Sequence, residues 1–529
     1  MRERNDEGVL GTLLEQIEEY SKKGAYPFHM PGHKRNGEGM LPFFAQWFAR
    51  DFTEIPGLDD LHAPEGILRE AQERAASLYG AQQSFFLVNG STAGVLAAVS
   101  AAVTKGGTIL MQRASHRSAY HAVQLRELKV RYLYGRQAEC GAAGRVGLGV
   151  DEAEVREAVE RDPQVEAVFL TSPSYDGFSS DLAGIAAYLH SRNIPLIVDA
   201  AHGAHLGFSE YLPKSALQEG ADVVVMSVHK TLPAPTQTAL LHLGSERVPA
   251  ERIQRFLSIY QTSSPSYLLM ASIDDCVERV SDWDASVWKD FYERRKRLSE
   301  RLHRLKRIGI WDCFGRSNIP KQSLGAEKET SPEGEALKRL KAGAGSPKQS
   351  LGAVPETGKI LVFPPDGKSG VALGEWLAAE GVQCEMALPA YVLLICTVCD
   401  TEEGYGKLAE ALEKLDRKPE ILQDVRRAGE KNDTQPSAEP GVSVIREDCL
   451  RKYMTETAEQ EKELTIAEAA ELPAEKLPIS EAAGRISAGF VSVYPPGQPL
   501  LVPGETITVG KAEKLKELLR QDAAVQGLY

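Results

Sequence analysis

The chain has 529 residues, 43% of them hydrophobic and 26% charged, a composition that excludes a mini-protein, a lone binding module or wholesale disorder. Sixty-one Lys and Arg against 74 Asp and Glu leave a formal charge of −13, which speaks against nucleic-acid or anionic-membrane binding and favours a cationic small molecule. The longest small-and-apolar run, Gly94 to Val103, falls well short of the ~20 residues that cross a bilayer, and seven scattered cysteines fit a reducing compartment.

The N-terminus mixes charges and leads into the amphipathic pattern Val9, Leu10, Leu13, Leu14, Ile17 without a signal core, so a cytoplasmic address and no membrane attachment are expected. Residues 1–64 read as an N-terminal arm and active-site loop. From 65 to 310 the pattern alternates helix and strand in the manner of a large, mostly parallel α/β sheet. The predicted helices are Glu65–Tyr79, closed by Gly80, then Thr92–Val103, Asp151–Arg161 and Leu182–Ser191. The predicted strands are Ser84–Val88, Thr108–Met111, Val165–Leu170, Pro195–Val198, Asp222–Met226 and Thr238–Leu243, several Val/Ile/Leu-rich as doubly covered strands should be.

A charged helical connector, Trp283–Ile308, leads out of this core. Residues 311–426 read as a small α/β domain, with strand Lys359–Phe363, helix Gly370–Glu380 and strand Ala390–Cys399. It is interrupted at 317–358 by a polar, flexible insertion in which Pro-Lys-Gln-Ser-Leu-Gly-Ala occurs twice, at 320–326 and 347–353. A polar linker, 427–441, precedes a C-terminal domain over 442–529.

Three segments carry chemistry. Lys230 follows the buried-strand run Ala221-Asp-Val-Val-Val-Met, where desolvation lowers an amine's pKa enough for Schiff-base chemistry; a lysine merely opening a loop is the plainer reading. Asn89-Gly-Ser-Thr joins a strand to a helix, so Gly90, Ser91 and Thr92 offer backbone amides, hydroxyls and a helix N-terminus to a phosphate, or simply cap the helix. Asp199 ends an apolar strand, where parallel sheets present ligand groups, and is costly there without a cation. His202 and His205 lack a carboxylate at metal-ligand spacing, and Cys396 and Cys399 lack a second pair, so no metal site is predicted.

Together with Pro27-Phe-His-Met-Pro-Gly-His, Asp51-Phe-Thr-Glu-Ile-Pro-Gly-Leu-Asp-Asp-Leu-His, Ser115-His-Arg-Ser-Ala-Tyr-His, Thr171-Ser-Pro-Ser-Tyr-Asp-Gly, Thr262-Ser-Ser-Pro-Ser-Tyr and Tyr494-Pro-Pro-Gly, these segments resemble the Orn/Lys/Arg decarboxylase family. That family has the aspartate-aminotransferase fold, fold type I of the pyridoxal-phosphate enzymes. The chain resembles its compact Gram-positive form, without an N-terminal wing domain.

The resemblance implies pyridoxal 5'-phosphate as cofactor, with Lys230 as its covalent anchor and Asp199 pairing with the pyridine nitrogen. It implies His116 stacking on the ring and His202 lying beside it, with Ser91, Thr92, Ser227 and His229 around the phosphate. Ser264 would reach the phosphate of a neighbouring subunit, making the active site depend on a homodimer or larger homo-oligomer. The implied reaction is decarboxylation of a basic L-amino acid, arginine to agmatine first, lysine or ornithine next, feeding polyamine synthesis. Asp59, Asp60 and Glu505 are candidates for the substrate's distal cation. Departures from the family pattern are Ala200, Pro235, Arg117, Gln498 and the insertion. The rival readings are an aminotransferase or C–S lyase of the same fold, with Arg485 as a carboxylate clamp, and a non-catalytic, cofactor-binding regulator.

Overall fold

A computed structural model describes residues 12–22, 29–31, 33–36, 38, 41–140, 144–317, 354–431, 440–450, 464–493, 497–520 and 525–528. Both copies of the duplicated heptapeptide, Pro27 and Phe28, and Tyr494-Pro-Pro lie outside them.

Seven strands form the large sheet: β1 (Gln83–Leu87), β2 (Thr108–Gln112), β3 (Lys129–Leu133), β4 (Val165–Thr171), β5 (Leu196–Asp199), β6 (Val223–Ser227) and β7 (Ala239–Leu243). Their order is β1-β7-β6-β5-β4-β2-β3. Only β7 runs against the rest, pairing antiparallel with β1 and β6. Successive residues of the central strands are buried in opposite layers, Val198, Val224 and Met226 in one and Ile197, Val223 and Val225 in the other. That is why these strands read as continuous apolar runs rather than alternating ones. Six of the seven are predicted by that signal. The seventh, β3, is an edge strand of sequence Lys-Val-Arg-Tyr-Leu, whose exposed Lys129 and half-buried Arg131 hide it from a search for buried runs.

Helix Gly90–Ala102 packs on the sheet through small residues. A Cβ on Gly94 would stand 2.5 Å from Leu87 Cδ1 and 2.9 Å from Val225 Cγ1, so glycine lets the helix N-terminus sit close to the strand ends. Helix Ile67–Tyr79 ends on Gly80 in the left-handed region at φ +69°, as its glycine predicts. The connector is helical over Ala285–Leu302, shorter at both ends than the predicted Trp283–Ile308.

The small domain is an antiparallel sheet of five strands, in the order Gly315–Ser317, Gly309–Asp312, Lys359–Phe363, Val392–Ile395, Met386–Ala387. The predicted insertion reaches too far at its C-terminal end. Val354–Pro355 pairs with Phe178–Ser179 of the large domain, and Glu356 and Thr357 are buried; their polarity, which suggested a loop, is compensated inside the fold. Cys396 is buried and Cys399 exposed just beyond the strand end at Ile395. Residues 427–431 of the predicted linker continue helix Pro419–Lys431, whose Leu422 and Val425 are buried. In the C-terminal region, paired strands Gly441–Ile445 and Ala474–Pro478 and helix Val509–Arg520 enclose Val442, Val444, Ile479, Leu501 and Leu515. No helix among the described residues is long and apolar enough to cross a membrane.

Candidate active site

Because β1, β2, β4, β5 and β6 are parallel, their C-terminal ends open on one edge of the sheet, where such folds gather ligand groups. The chain then delivers Asn89–Thr92 after β1, His116 after β2, Tyr175 and Asp176 after β4, Asp199 at the end of β5 with His202 after it, and Lys230 on the one-turn helix Val228–Thr231 after β6.

Lys230 Nζ lies 3.1 Å from His202 Nε2. Burial pushes its amine below the ordinary lysine range, against the opposing pull of Asp199 and Glu385. Asp199 is buried, and its Oδ1 accepts from the Ala201 N–H at 3.1 Å. Burial raises its carboxyl above the usual range, with Lys230 and the Ala201 amide pulling the other way. A carboxylate in that condition gains from any cation that reaches it.

His202 is also buried. Its Nδ1 lies 2.9 Å from Lys359 Nζ, and its ring meets Tyr175 edge-on at 4.9 Å between centroids. Burial, then the charges of Lys359 and Lys230, hold it well below the usual histidine range, so it is neutral at physiological pH. His116 caps helix Arg117–Leu125, its Nδ1 accepting from the Ser118 N–H at 3.2 Å. Burial, Lys230 and Arg117 push it down to about 4, leaving a flat, uncharged ring with a fixed orientation.

The turn after β1 has the shape of an anion cradle. Gly90 stands at φ +72°, and Ser227 Oγ donates to Ser91 Oγ at 3.0 Å. Asn89 Oδ1 accepts from the Thr262 N–H at 3.1 Å, so the stretch carrying Ser264 is tied to the turn of its own chain. Ser264 and Thr92 are exposed. His229 donates from Nδ1 to the Thr238 carbonyl at 2.8 Å.

The sequence reading missed Lys359, Glu356 and Asp176. Lys359 opens an apolar strand and is itself buried, a rarity for a lysine that the strand pattern alone signals. Asp176, in the Thr171–Gly177 motif, accepts from Tyr391 Oη at 2.7 Å and from the Gly147 N–H at 3.1 Å. Tyr175 donates to Glu385. Among the described residues no three His, Cys, Asp or Glu side chains group as metal ligands do.

The three acids offered for the substrate's distal cation differ in their surroundings. Asp59 is a structural cap: its carboxylate accepts from the N–H groups of Asp60, Glu65, Gly66 and Leu68 at 2.9–3.1 Å, which the acidic motif gave no means of foreseeing. Glu505 pairs with Arg113 at 3.1 Å and with Lys511, joining the C-terminal region to the end of β2. Asp60 accepts from the His62 N–H at 2.8 Å through Oδ1. Of the departures, Pro235 shapes the turn before β7 by accepting from Thr238 N–H and Oγ1 at 3.2 and 2.8 Å. Arg117 donates to Gln526 Oε1 at 3.3 Å, and Ala200 is buried.

Comparison with known proteins bears on the chain as a whole. Over 521 residues, 97% of this chain and 95% of the relative, the sequence is 32% identical to the uncharacterized protein YaaO of Bacillus subtilis (strain 168). It is 30% identical to an arginine decarboxylase of Bacillus anthracis over 97% of this chain and 94% of that one. The constitutive lysine decarboxylase of Escherichia coli superposes with a TM-score of 0.72 at 19% identity, over 98% of this chain and 81% of that one. The Francisella novicida lysine decarboxylase superposes at 0.75, also at 19% identity, over 98% and 79%. The family model for the Orn/Lys/Arg decarboxylase major domain matches residues 12–403, and that for the C-terminal domain matches 447–526. The chain is therefore an amino-acid decarboxylase belonging to the Orn/Lys/Arg decarboxylase family.

Proposed function

We propose that the protein decarboxylates L-arginine to agmatine, with pyridoxal 5'-phosphate held at the C-terminal edge of the large sheet, as a cytoplasmic homodimer feeding polyamine synthesis. The observation that carries the reading is the half-buried amine of Lys230, on the one-turn helix after β6, beside buried Asp199 at the end of the neighbouring strand β5. Arginine is preferred to lysine and ornithine because the relatives that align over nearly the whole chain at about 30% identity include proteins named arginine decarboxylase.

The residues fit the cofactor on three counts. Lys230 offers an amine with a lowered pKa. Asp199 offers one oxygen already steadied by an amide, for a ring N–H⁺ to complete. The Gly90 turn, Ser91 and Ser227 offer donors and a helix N-terminus for a phosphate. When bound, the cofactor supplies a protonated pyridine ring that accepts the electron pair left when the Cα–carboxylate bond breaks.

The protein's own part is to hold and to protonate. With the cofactor bound, Asp199 would keep the ring nitrogen protonated, and His116, neutral, would face the ring without repelling that charge. Lys230 Nζ and His202 Nε2 carry the protons that can replace carbon dioxide on Cα. A site that held the substrate carboxylate in the orientation favouring its loss would select decarboxylation among the reactions open to the same cofactor. Asp60 is the first candidate for the guanidinium, since its second oxygen has no hydrogen-bond partner among the described residues.

The test is to supply the purified protein and pyridoxal phosphate with arginine, lysine and ornithine in turn, following carbon dioxide and amine. Arginine should give the highest kcat/KM. A keto acid would instead mark an aminotransferase, and no product a regulator.

A further inference from the structure

We propose that Arg113 is a positioning residue: it fastens the turn that carries His116 to the C-terminal domain, so that this domain sets where the His116 ring stands. The inference deepens the reading of His116 as the residue facing the cofactor ring and rests on it.

His116 stands on the short turn between β2 and helix Arg117–Leu125. The first backbone N–H groups of a helix have no partner inside it. Here the first of them, that of Arg117, donates to the Gly497 carbonyl at 3.1 Å. On the other flank the Arg113 guanidinium donates from Nη1 to the Pro499 carbonyl at 2.7 Å and from Nη2 to the Leu500 carbonyl at 3.2 Å, and it pairs with Glu505 at 3.1 Å. Pro499 and Leu500 lie on strand Gln498–Leu501, and Gly497 directly precedes it. His116 is therefore slung between two anchors on one short stretch of the C-terminal domain.

The turn is also closed on itself. Tyr120 Oη donates to the Arg113 carbonyl at 2.6 Å and accepts from Arg113 Nη1 at 3.0 Å. The Arg113 side chain is only 14% exposed, and its guanidinium faces the Tyr120 and Tyr132 rings at 5.6 Å from each centroid. A planar fork can hold two successive carbonyls and a carboxylate at once, which a single ammonium cannot reproduce. An ion pair kept for stability alone would need Glu505 and no carbonyls. Backbone carbonyls move only with their strand, so bonds to them transmit position.

The position matters to His116 because its state depends on burial. Burial, then the charges of Lys230, Arg117 and His121, push its ring down to about 4. A turn released from the C-terminal strand lets water reach the ring, and the midpoint climbs back toward the ordinary histidine value.

The test follows hydrogen exchange at the imidazole Cε1–H by mass spectrometry in the full-length protein without cofactor, which reads the titration midpoint of each histidine. Tryptic cleavage after Arg117 separates His116 from His121. In the unaltered protein His116 should show no midpoint between about pH 5 and 8. Arg113→Lys, which keeps the charge and loses the fork, should bring the midpoint into that range, a gain of about tenfold or more in proton affinity. Arg485→Met cuts bonds inside the C-terminal domain, to the Ile445 carbonyl and to Glu475, and should leave His116 as it was. A midpoint that stays low in Arg113→Lys overturns the clamp for want of coupling, and one that rises equally in Arg485→Met overturns it in favour of general loosening.

Should Arg113→Lys fail to fold, backbone hydrogen exchange in the unaltered protein decides: a slowly exchanging Arg117 amide supports the clamp, and exchange at the unprotected rate overturns it. With pyridoxal phosphate bound, Arg113→Lys should weaken the visible circular dichroism of the cofactor, and an unchanged signal overturns the clamp's bearing on the ring. The two proposals fail separately. Cofactor fixed by borohydride on a lysine other than Lys230 sinks the proposed function, whereas a normal Lys230 adduct with an unmoved His116 midpoint sinks the clamp alone.

Discussion

The imidazole Nε2 of His205 lies 2.9 Å from the carboxylate of Glu356, with 5% and 1% of the two side chains exposed. This contact pulls on the Glu356 carboxyl through a hydrogen bond first and through charge second. His205 stands three residues after His202, and Glu356 three before Lys359. The loop after β5 thus grips strand Lys359–Phe363 and the residues leading into it at two points, His205 to Glu356 and His202 to Lys359. Burial would raise the Glu356 carboxyl, but His205 and Lys359 outweigh it and hold it below the usual range.

Removing one partner of such a pair leaves the other uncompensated, so Glu356→Gln should cost about 3–5 kcal/mol in urea unfolding at neutral pH. A group with a depressed folded pKa contributes stability above its unfolded value, about 4.3 for Glu, and loses it as pH falls through the lower folded value. The gap between wild type and Glu356→Gln should therefore be full at neutral pH and close below about pH 4. A gap independent of pH would remove the charge from the explanation.

Gly94→Ala should weaken both fold and site. Its new methyl meets Leu87 and Val225 inside contact distance; Val225 sits on β6, which is paired on both sides, and Leu87 on β1, which β7 holds on one. Overpacking of this kind costs about 1–3 kcal/mol. Because the same helix carries the Gly90–Thr92 turn at its start, affinity for pyridoxal phosphate should fall more than affinity for phosphate-free pyridoxal, as measured by equilibrium titration. Equal losses would mean that the helix end does not hold the phosphate.

Asp199→Asn should keep the cofactor and lose turnover. The amide preserves shape and the contact with Ala201 but cannot balance a protonated ring nitrogen. Loss of one preorganised electrostatic partner is worth on the order of 10²–10³ in kcat. Near-normal kcat would refute the role.

Lys230→Ala should abolish the borohydride-stable adduct on the peptide spanning β6 and the following turn, as read by mass spectrometry. An adduct still found at full yield elsewhere in the chain would disqualify Lys230.

Most of the fold was legible because its signals are local: buried runs for six strands, Gly80 for a helix end, and the helical pattern of Asp151–Arg161, whose first residue proves to be the cap of helix Glu152–Arg161. Lys230 and Asp199 could be singled out because they stand just past one buried strand and at the end of the next, so topology alone brings them to one edge; His116 came only from the motif that resembles the family. Lys359 and Glu356 were not, since their meaning lies in contacts with His202 and His205 more than 150 residues away, and a polar composition there looks the same as a solvated loop. Asp59 misled for the opposite reason: an acidic motif invites a ligand, and only coordinates reveal four backbone amides already on its carboxylate.

His229 makes a proton-count prediction. Its Nδ1–H is given to the Thr238 carbonyl at 2.8 Å, so the neutral ring can only accept at Nε2, and a phosphate oxygen accepts too. The two can meet only if Nε2 gains a proton. In the phosphate-free protein, burial and Lys230 hold His229 below the usual histidine range despite the Thr238 contact, so the ring is neutral near pH 7. A bound phosphate must therefore raise the ring's pKa, and between the two values binding takes up a proton. Calorimetry of the apoprotein in buffers of different ionisation enthalpy should show greater proton uptake with pyridoxal phosphate than with pyridoxal. His229→Gln should cancel the difference, because its amide donates without titrating. The same difference persisting in His229→Gln would move the phosphate away from this residue.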